Sequence, residues 1–221
     1  MLYYHFKDIN RRLRIGKIIC LARTYRKHAE EMNSKVTEKP FLFLKPASSV
    51  IFDGQTIIIP RQSKIVHHEV ELGVVIGRRA KNIEKKDVMS HILGYLLGLD
   101  ITARDIQEEA KRNGWPWTIS KSFDTFCPIS KVVLKEEVDD PYNLDLILKV
   151  NNEIRQSSNT RYLIYSIEEI IEFISSIMTL KAGDLILTGT PEGVSQIRDG
   201  DIVEAKLGDI CSLKLNVTLS G

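Results

Sequence analysis

Two glutamates in the segment HHEVELGVVIG are the residues of this chain with the clearest potential for chemistry. Side chains alternate along a strand, so Glu69 and Glu71 share one face, while the other face, from Val70 to Ile76, is apolar. Two like charges in a poorly solvated place need a counter-charge, and a hard divalent cation such as Mg²⁺ or Mn²⁺ supplies it through oxygen ligands. Asp100, which ends the apolar run GYLLGLD, is the predicted third ligand.

Two other interpretations of this glutamate pair stay open on spacing alone. His67 falls on the same strand face and would complete a zinc-like set, although no cysteine or HExxH spacing accompanies it. An ExE pattern is also common where one face of a strand is simply solvated. Spacing therefore allows a metal site without requiring one.

A second pair lies in the segment TYRKHAEEM, which has the pattern of a helical turn. His28 and Glu31 are three residues apart, so they share one helix face, and the carboxylate would hold the imidazole in one tautomer. A neutral histidine held in this way takes a proton from water near pH 7. The alternative is an ordinary pair on the outer face of a helix.

Short strand patterns dominate the elements that must position these residues. Helices are predicted only around TYRKHAEEM, ARDIQEEAKRNG and SIEEIIEFISSIMTL. In the last of these, Ser166 and Glu169 form a capping box, and Gly183 is the predicted stop. Strands that outnumber helices without βαβ alternation predict an α+β domain with a rolled sheet or barrel. The predicted strands are KIICLA, PFLFLKP, TIIIP, HEVELGVVIG, YLLGLDI, LDLILKVN, DLILTGT and CSLKLNVTL.

Size and charge narrow the class of protein. We expect a short N-terminal segment, residues 1–15, followed by a single domain over residues 16–221. The chain has 31 Lys and Arg against 29 Asp and Glu, which gives no electrostatic reason to expect nucleic acid or an anionic membrane as a partner. The start MLYYHFKDINRRLRIGK lacks a cleavable signal pattern, so a cytoplasmic location is expected. The isolated cysteines Cys20, Cys127 and Cys211 are predicted to be reduced thiols.

Several segments, taken in order, resemble the fumarylacetoacetate hydrolase family, and most closely its short branch of acylpyruvate hydrolases and oxaloacetate decarboxylases. The resemblance runs from KIICLARTYRKHAEEM through PFLFLKPASSV, VHHEVELGVVIGRRA and GYLLGLDITARDIQEEAKRNGWPWTISKSFDTFCPIS to LILKVNNEIRQ and LILTGTPEGV. It implies the family's mixed β-roll with a few short flanking helices, and a homodimer. It also implies that Glu69, Glu71 and Asp100 bind one Mg²⁺ or Mn²⁺.

The same resemblance implies roles for other residues. Lys121, in SKSFD, would stand beside the metal, and Gln107, in TARDIQ, would orient a substrate oxygen. His28 and Glu31 would belong to a lid over the substrate, followed by the polar loop NSKVTEKP.

Further candidates for substrate contacts lie near the ends of predicted strands. The turn LTGTPEGV combines Gly189, Thr190 and Gly193, and its free N–H groups and hydroxyl are suited to a carboxylate. In the family this threonine lies by the substrate. Arg23 and Lys45 are candidates for binding the substrate's terminal carboxylate.

One departure from the family's pattern affects the entry to the lid. Relatives commonly have Gly and Asn where this chain has Ala22 and Thr24. Alanine does not tolerate the positive φ that glycine allows, so this entry is expected to differ.

Together these features predict a divalent-metal-dependent hydrolase that cleaves acylpyruvates between carbons three and four, and that decarboxylates oxaloacetate by the same enolate route. One alternative is an isomerase or hydratase of hydroxymuconate-type acids, which needs the metal and proton transfer but no C–C cleavage. The other is a metabolite-binding protein that has lost turnover. In each case the expected partner is a small dioxo or enol acid.

Overall fold

The chain folds into curved, mixed β-sheets with a few short helices, as a computed structural model shows for residues 2–32 and 38–221. This arrangement confirms the predicted α+β class with a rolled sheet. The strands are β1 (Ile18–Ala22), β2 (Phe41–Lys45), β3 (Val50–Phe52), β4 (Thr56–Ile59), β5 (Val66–His67), β6 (Val70–Ile76), β7 (Ile92–Leu99), β8 (Thr102–Ala103), β9 (Cys127–Ile129), β10 (Val133–Leu134), β11 (Asp145–Val150), β12 (Glu153–Asn159), β13 (Leu185–Leu187), β14 (Gln196–Ile197), β15 (Ile202–Leu207) and β16 (Cys211–Leu219). The α-helices are α1 (Arg26–Glu31), α2 (Lys85–Val88), α3 (Arg104–Asn113), α4 (Thr118–Lys121) and α5 (Ile167–Ile177), and short 3₁₀ turns cover Ala47–Ser49, Met89–His91, Lys135–Glu137 and Thr160–Tyr162.

The largest sheet has eight strands and contains both segments that carry the predicted metal ligands. Its order is β2-β1-β13-β6-β7-β9-β3, and β10 also pairs with β7. The pairs β1 with β13 and β3 with β9 are parallel, and the other neighbours are antiparallel. A second sheet has the order β12-β11-β15-β16-β4, and a third has the order β14-β5-β8.

Strand β6 is buried on both faces, as its sequence predicted. All seven of its residues are buried. Leu72 and Val74 pack into the larger hydrophobic cluster, whereas Val75 packs with Leu96 in a second cluster on the other side. Side chains on either face of β6 are therefore shielded from water.

All three predicted helices form, but the end of α5 differs from the prediction. Its capping box is present: the Ser166 hydroxyl accepts from the Glu169 N–H at 3.1 Å, and the Glu169 carboxylate accepts from the Ser166 N–H at 2.8 Å. The helix ends at Ile177, so Gly183 is not its stop. Leu180 forms an antiparallel β-bridge with Ala80, so the chain is already extended before it reaches Gly183.

The N-terminal residues from 2 to 15 lie against the main sheet. Tyr4, Phe6 and Ile15 are buried in the second hydrophobic cluster. The Tyr4 hydroxyl donates a hydrogen bond to the Gly183 carbonyl at 3.0 Å. This short segment therefore shares its core with the rest of the chain.

Two further expectations concern the cysteines and the membrane. The three cysteines, Cys20, Cys127 and Cys211, are free thiols, and the first two are buried. Over the part of the chain that the structure describes, no helix is both long enough and apolar enough to cross a membrane.

Candidate metal centre and active site

The pairing of β6 with β7 brings three carboxylates together. In this antiparallel pair Glu71 lies opposite Gly98, and the N–H of Asp100 donates to the carbonyl of Glu69 at 2.9 Å. One oxygen from each of Glu69, Glu71 and Asp100 lies within 4.8 Å of the others, and all three residues are buried. Glu71 lies within β6, Glu69 directly precedes β6 and Asp100 directly follows β7, so one end of this strand pair supplies the whole cluster.

Three cations surround this carboxylate cluster. The Lys121 ammonium lies 3.0 Å from one oxygen of Glu69 and 2.5 Å from Asp100. Arg104 forms an ion pair with the other oxygen of Glu69. Lys45 lies 2.7 Å from the second oxygen of Asp100. Glu69 and Asp100 are therefore paired with positive charges, as buried carboxylates must be.

The same charges shift the pKa values of the cluster in opposite directions. Burial raises the pKa of Glu69, but the positive charges of Lys121 and Arg104 outweigh it and hold this pKa well below its usual value. Burial and then the negative charges of Asp100 and Glu69 raise the pKa of Glu71 well above its usual value. For Lys121 burial lowers the pKa, but the two carboxylates raise it above the ordinary range. Glu71 is thus the carboxylate whose negative charge is least compensated by neighbouring positive charges.

The environment of Glu71 supports a divalent cation at this place. Its Oε2 accepts a hydrogen bond from the Gly189 N–H at 2.7 Å, whereas its Oε1 is buried without a hydrogen-bond partner among the described residues. A buried polar atom without a partner costs free energy, and a bound cation would satisfy it. Three carboxylates form the hard oxygen set that Mg²⁺ or Mn²⁺ prefers, so the residues present fit a divalent metal.

His67 is not part of this cluster. Its Nδ1 accepts a hydrogen bond from the Arg104 side chain at 3.3 Å. Burial, together with the positive charge of Arg104, lowers the pKa of His67 to about 4. Among the described residues the cluster consists of carboxylates alone, and the zinc-like alternative does not form.

The predicted pair on α1 adopts the expected geometry. Nδ1 of His28 lies 3.1 Å from a carboxylate oxygen of Glu31, whose other oxygen accepts from the Gly193 N–H at 3.0 Å. Burial raises the pKa of Glu31, but the hydrogen bonds from His28 and Gly193 outweigh it and lower the pKa below its usual value. A charged Glu31 holds the hydrogen of His28 on Nδ1, which leaves Nε2 as the atom for proton transfer.

The glycine-rich turn uses its N–H groups differently from the prediction. We expected them to bind a substrate carboxylate, but Gly189 donates to Glu71 and Gly193 donates to Glu31. The turn therefore binds carboxylates of the chain itself and connects the metal-ligand cluster to α1. Thr190, between the two glycines, lines the adjacent pocket.

The entry to α1 accommodates the two departures from the family's pattern. The left-handed conformation falls on Arg23, with φ of +63°, and not on Ala22. The Thr24 hydroxyl donates to the Thr188 carbonyl at 2.7 Å. A Cβ at Gly189 would overlap this hydroxyl, so the threonine and the glycine fit together. The loop that follows α1 includes residues 33–37, which lie outside the described residues.

A pocket between α1, α3, α4 and Glu69 collects most of the predicted site residues, whereas the predicted metal ligands Glu71 and Asp100 do not line it. Lys45 is not among the residues that line it, because its ammonium lies behind Asp100 and donates to the Ile101 carbonyl at 3.0 Å. Glu31 does not line the pocket either, but it contacts His28, which does. The predicted residues that line the pocket are Arg23, His28, Glu69, Gln107, Lys121 and Thr190.

Several lining residues were not predicted from the sequence. Arg104 is 4% exposed and bonds both Glu69 and the Gln107 carbonyl oxygen, the latter at 2.5 Å. Its place one turn before Gln107 on α3 was the available signal. Lys111, also on α3, and Trp117 form part of the wall.

A buried carboxylate cluster that fits a divalent metal, beside a histidine–carboxylate pair and a small polar pocket, is an arrangement typical of metal-dependent enzymes. Residues 17–218 match the family described as fumarylacetoacetate (FAA) hydrolase, C-terminal. The chain belongs to this family, as its sequence motifs indicated.

Relatives and solved structures cover nearly the whole chain. It is 46% identical to the mitochondrial oxaloacetate tautomerase FAHD1 of Mus musculus over 97% of both chains. It is 46% identical to the mitochondrial oxaloacetate decarboxylase of Dictyostelium discoideum, over 85% of this chain and 87% of the relative.

Two solved structures have the same fold. The fumarylpyruvate hydrolase of Pseudomonas aeruginosa, in complex with Mn²⁺ and pyruvate, has a TM-score of 0.94 and 32% identity, covering 99% of this chain and 96% of its own. The 2-hydroxyhepta-2,4-diene-1,7-dioate isomerase of Mycobacterium marinum has a TM-score of 0.84 and 36% identity, and the match covers 95% of this chain and 77% of the isomerase. Hydrolases, decarboxylases, tautomerases and isomerases therefore share this framework.

Proposed function

We propose that this chain is an Mg²⁺- or Mn²⁺-dependent enzyme that transfers a proton at carbon 3 of oxaloacetate, interconverting its keto and enol forms, and that also decarboxylates it. The observation that carries the proposal is the His28–Glu31 pair, whose imidazole lines the same pocket as Glu69 and Lys121. The names of the relatives in mouse and Dictyostelium support oxaloacetate as the substrate.

The metal would be held by Glu69, Glu71 and Asp100. When bound, a divalent cation supplies a Lewis acid for the 2-oxo group and the adjacent carboxylate of the substrate. The Lys121 ammonium, which touches two of these ligands, adds positive charge where negative charge develops on the oxygen at carbon 2.

Proton transfer is assigned to His28. Its Nε2 takes the proton from carbon 3, and the imidazolium that results is stabilised by Glu31, 3.1 Å away at Nδ1. The imidazolium then gives the proton to the oxygen at carbon 2, which completes the enol. In the reverse direction the proton returns to carbon 3.

Gln107 is assigned to substrate orientation as a donor. Its carbonyl oxygen accepts from Arg104, a group that can only donate, so its NH₂ group remains for a substrate oxygen in the pocket. A dicarboxylic substrate also has a distal charge to bind. Arg23 and Lys111 line the same pocket, contact the rings of Phe41 and Trp117, and form no ion pair with a described acidic residue.

A second candidate function is hydrolysis of acylpyruvates, which the sequence alone favoured. The same His28–Glu31 pair can take a proton from water, whose oxygen adds to carbon 4 before the bond between carbons 3 and 4 breaks. The similarity to fumarylpyruvate hydrolase supports this candidate. The isomerase alternative and a binding protein without turnover remain as outcomes of the test.

The test is an assay of two substrates with Mg²⁺ or Mn²⁺ and with EDTA. Loss of the ultraviolet enol band of oxaloacetate without pyruvate release indicates the tautomerase, and pyruvate release from oxaloacetate indicates the decarboxylase. Pyruvate release from acetylpyruvate indicates the hydrolase, and a shifted band of a diene acid without fragments indicates the isomerase. Tight binding with no reaction of any substrate would contradict the proposal.

Substitutions separate the roles. Glu69→Ala is expected to abolish every metal-dependent reaction. His28→Ala is expected to slow tautomerisation and hydrolysis by about a hundredfold or more while metal affinity stays unchanged. Decarboxylation is expected to fall less, because breaking the bond to the leaving CO₂ requires no base. His5→Ala, at an exposed histidine that stacks on Phe52, is the matched control.

The homodimer and the cytoplasmic location stay predictions. Light scattering of the purified chain tests the first, and cell fractionation tests the second.

A further inference from the structure

A chain of buried hydrogen bonds connects strand β12 to the pocket. Gln156, on β12, is 1% exposed. Its Nε2 lies 2.8 Å from the Thr190 hydroxyl and 2.9 Å from the Pro191 carbonyl. Its Oε1 lies 2.9 Å from Nδ1 of His68 and 3.1 Å from the Val70 N–H. All four hydrogen-bonding positions of this amide are therefore occupied.

Two backbone groups determine the orientation of the Gln156 amide. The Val70 N–H can only donate, so the atom beside it must be the amide oxygen. The Pro191 carbonyl can only accept, so the atom beside it must be the NH₂ nitrogen. The remaining hydrogen of that NH₂ group must then be donated to the oxygen of Thr190.

This orientation decides what the Thr190 hydroxyl can do. A hydroxyl has one hydrogen, and its oxygen already accepts from Gln156. Among the described contacts the Thr190 hydroxyl donates to no protein group, and the residue lines the pocket beside Lys121. Its hydrogen is therefore available to a ligand in the pocket.

We propose that Gln156 is a positioning residue that makes Thr190 an obligate hydrogen-bond donor to a carboxylate oxygen of the substrate. The inference rests on the proposed function, because it takes the ligand to be a 2-oxo acid. An oriented donor suits an anionic acceptor, and a hydrogen bond to a charged group is stronger than one between neutral groups. Gln156 itself touches no substrate and acts only through Thr190.

The chain of hydrogen bonds continues in the same direction behind Gln156. Because Oε1 of Gln156 only accepts, Nδ1 of His68 must bear a hydrogen. Nε2 of His68 lies 2.9 Å from the Ser195 hydroxyl. The half-buried Ser195 and the buried residues His68, Gln156 and Thr190 thus form one continuous network of hydrogen bonds.

The test measures binding of oxalate, an unreactive dianion with the same carboxylate and neighbouring oxygen as a 2-oxo acid. Titration calorimetry on the Mn²⁺-loaded protein compares wild type with Gln156→Leu, Thr190→Val and the double variant. Each single substitution is expected to weaken oxalate binding by about tenfold or more, and the double variant by no more than about twofold beyond Thr190→Val. The corresponding loss with oxaloacetate is expected in KM and not in kcat.

Controls distinguish positioning from general damage. Thr190→Ser keeps the hydroxyl and is expected to restore binding to within about twofold of wild type. Ser195→Ala removes only the far end of the network and is expected to leave oxalate affinity within the same limit. Mn²⁺ affinity of each variant checks that the site is intact. If Gln156→Leu does not fold, Gln156→Glu replaces it, because it keeps the length but loses the NH₂ donor.

Three results would overturn the inference. They are an unchanged oxalate affinity in the Gln156 variant, losses that multiply to about a hundredfold in the double variant, and no oxalate binding to the wild type. The first two leave the proposed function intact. Oxalate binding as expected, together with no turnover of oxaloacetate or acetylpyruvate, would contradict the proposed function alone.

Discussion

Replacing Lys121 with methionine tests whether this lysine and a metal ion compensate the same carboxylates. The ammonium is buried, with 2% of the side chain exposed, and it contacts Glu69, Asp100 and the Thr102 hydroxyl. Methionine fills much of the same volume without the charge. The change therefore removes one of the cations from the cluster with little effect on packing.

Breaking a buried ion pair costs about 3–5 kcal/mol, because the partner charge stays buried without compensation. For a chain of this size that loss lowers the melting temperature by roughly 6–20 °C. A divalent cation bound by Glu69, Glu71 and Asp100 would supply the missing charge. We expect Lys121→Met to be strongly destabilised in EDTA and to recover most of this loss in saturating Mn²⁺.

The assay is urea unfolding of wild type and variant in EDTA and in MnCl₂. Metal at a hundred times its dissociation constant adds about 2.7 kcal/mol to the wild type, and the variant should gain more. Lys85→Met is the matched control: Lys85 pairs with Glu169 at 2.8 Å, but the pair is half exposed, and its small effect should not depend on metal. An equal loss for Lys121→Met with and without metal would refute the shared-carboxylate argument.

Three further outcomes are expected. Gly193→Ala should lower both stability and activity, because the new Cβ would overlap the Arg155 carbonyl of β12 and displace the N–H that holds Glu31. The control is Gly54→Ala, at a similar φ of +79° with open space around it, which should show only the cost of positive φ, about 1–2 kcal/mol. Equal losses in urea unfolding would contradict the overlap. Because the pKa of Glu31 is lowered, its charged form stabilises the fold above the unfolded-state pKa, and this contribution disappears as pH falls through the folded pKa. Glu31→Gln should thus have a lower melting temperature than wild type at pH 7, and this gap between the two melting temperatures should close below about pH 4. A gap that stays constant would show that charge is not the cause. Ser166→Ala should remove the cap of α5 and cost about 1 kcal/mol in thermal unfolding, without changing Mn²⁺ affinity; a lost affinity would show that the helix also supports the site.

Strands with a strong apolar pattern were predictable, and strands that depend on a partner were not. Each of the eight predicted runs contains a strand of the structure, including β6 and β16. The segment EIRQSSN forms β12, although it has almost no apolar residues, because it pairs with β11 from end to end apart from one register shift at Arg155. Two-residue strands such as β5 and β14 exist only through their partners and have no sequence pattern of their own.

The residues of the candidate site likewise fall into those that a local sequence pattern predicts and those whose place depends on tertiary contacts. Alternation along one strand was enough to place Glu69 and Glu71 together. Asp100 was predicted from its place at the end of an apolar run, and its approach to the two glutamates depends on the pairing of β6 with β7. Arg104 had one sequence signal, its place one turn before Gln107 on α3. Gln156 reaches the site from a distant part of the chain, and only the three-dimensional structure identifies its partners.

The orientation of the Gln156 amide has a consequence for the pH dependence of the enzyme. An amide neither gains nor loses a proton in the physiological range, and the two backbone groups that orient it do not titrate either. Protonation of His68 would add a hydrogen at Nε2 and leave the one on Nδ1 in place. The hydrogen of Thr190 therefore keeps the same direction at acid and neutral pH. The contribution of the Thr190 hydroxyl to substrate binding is therefore expected not to change with acidity.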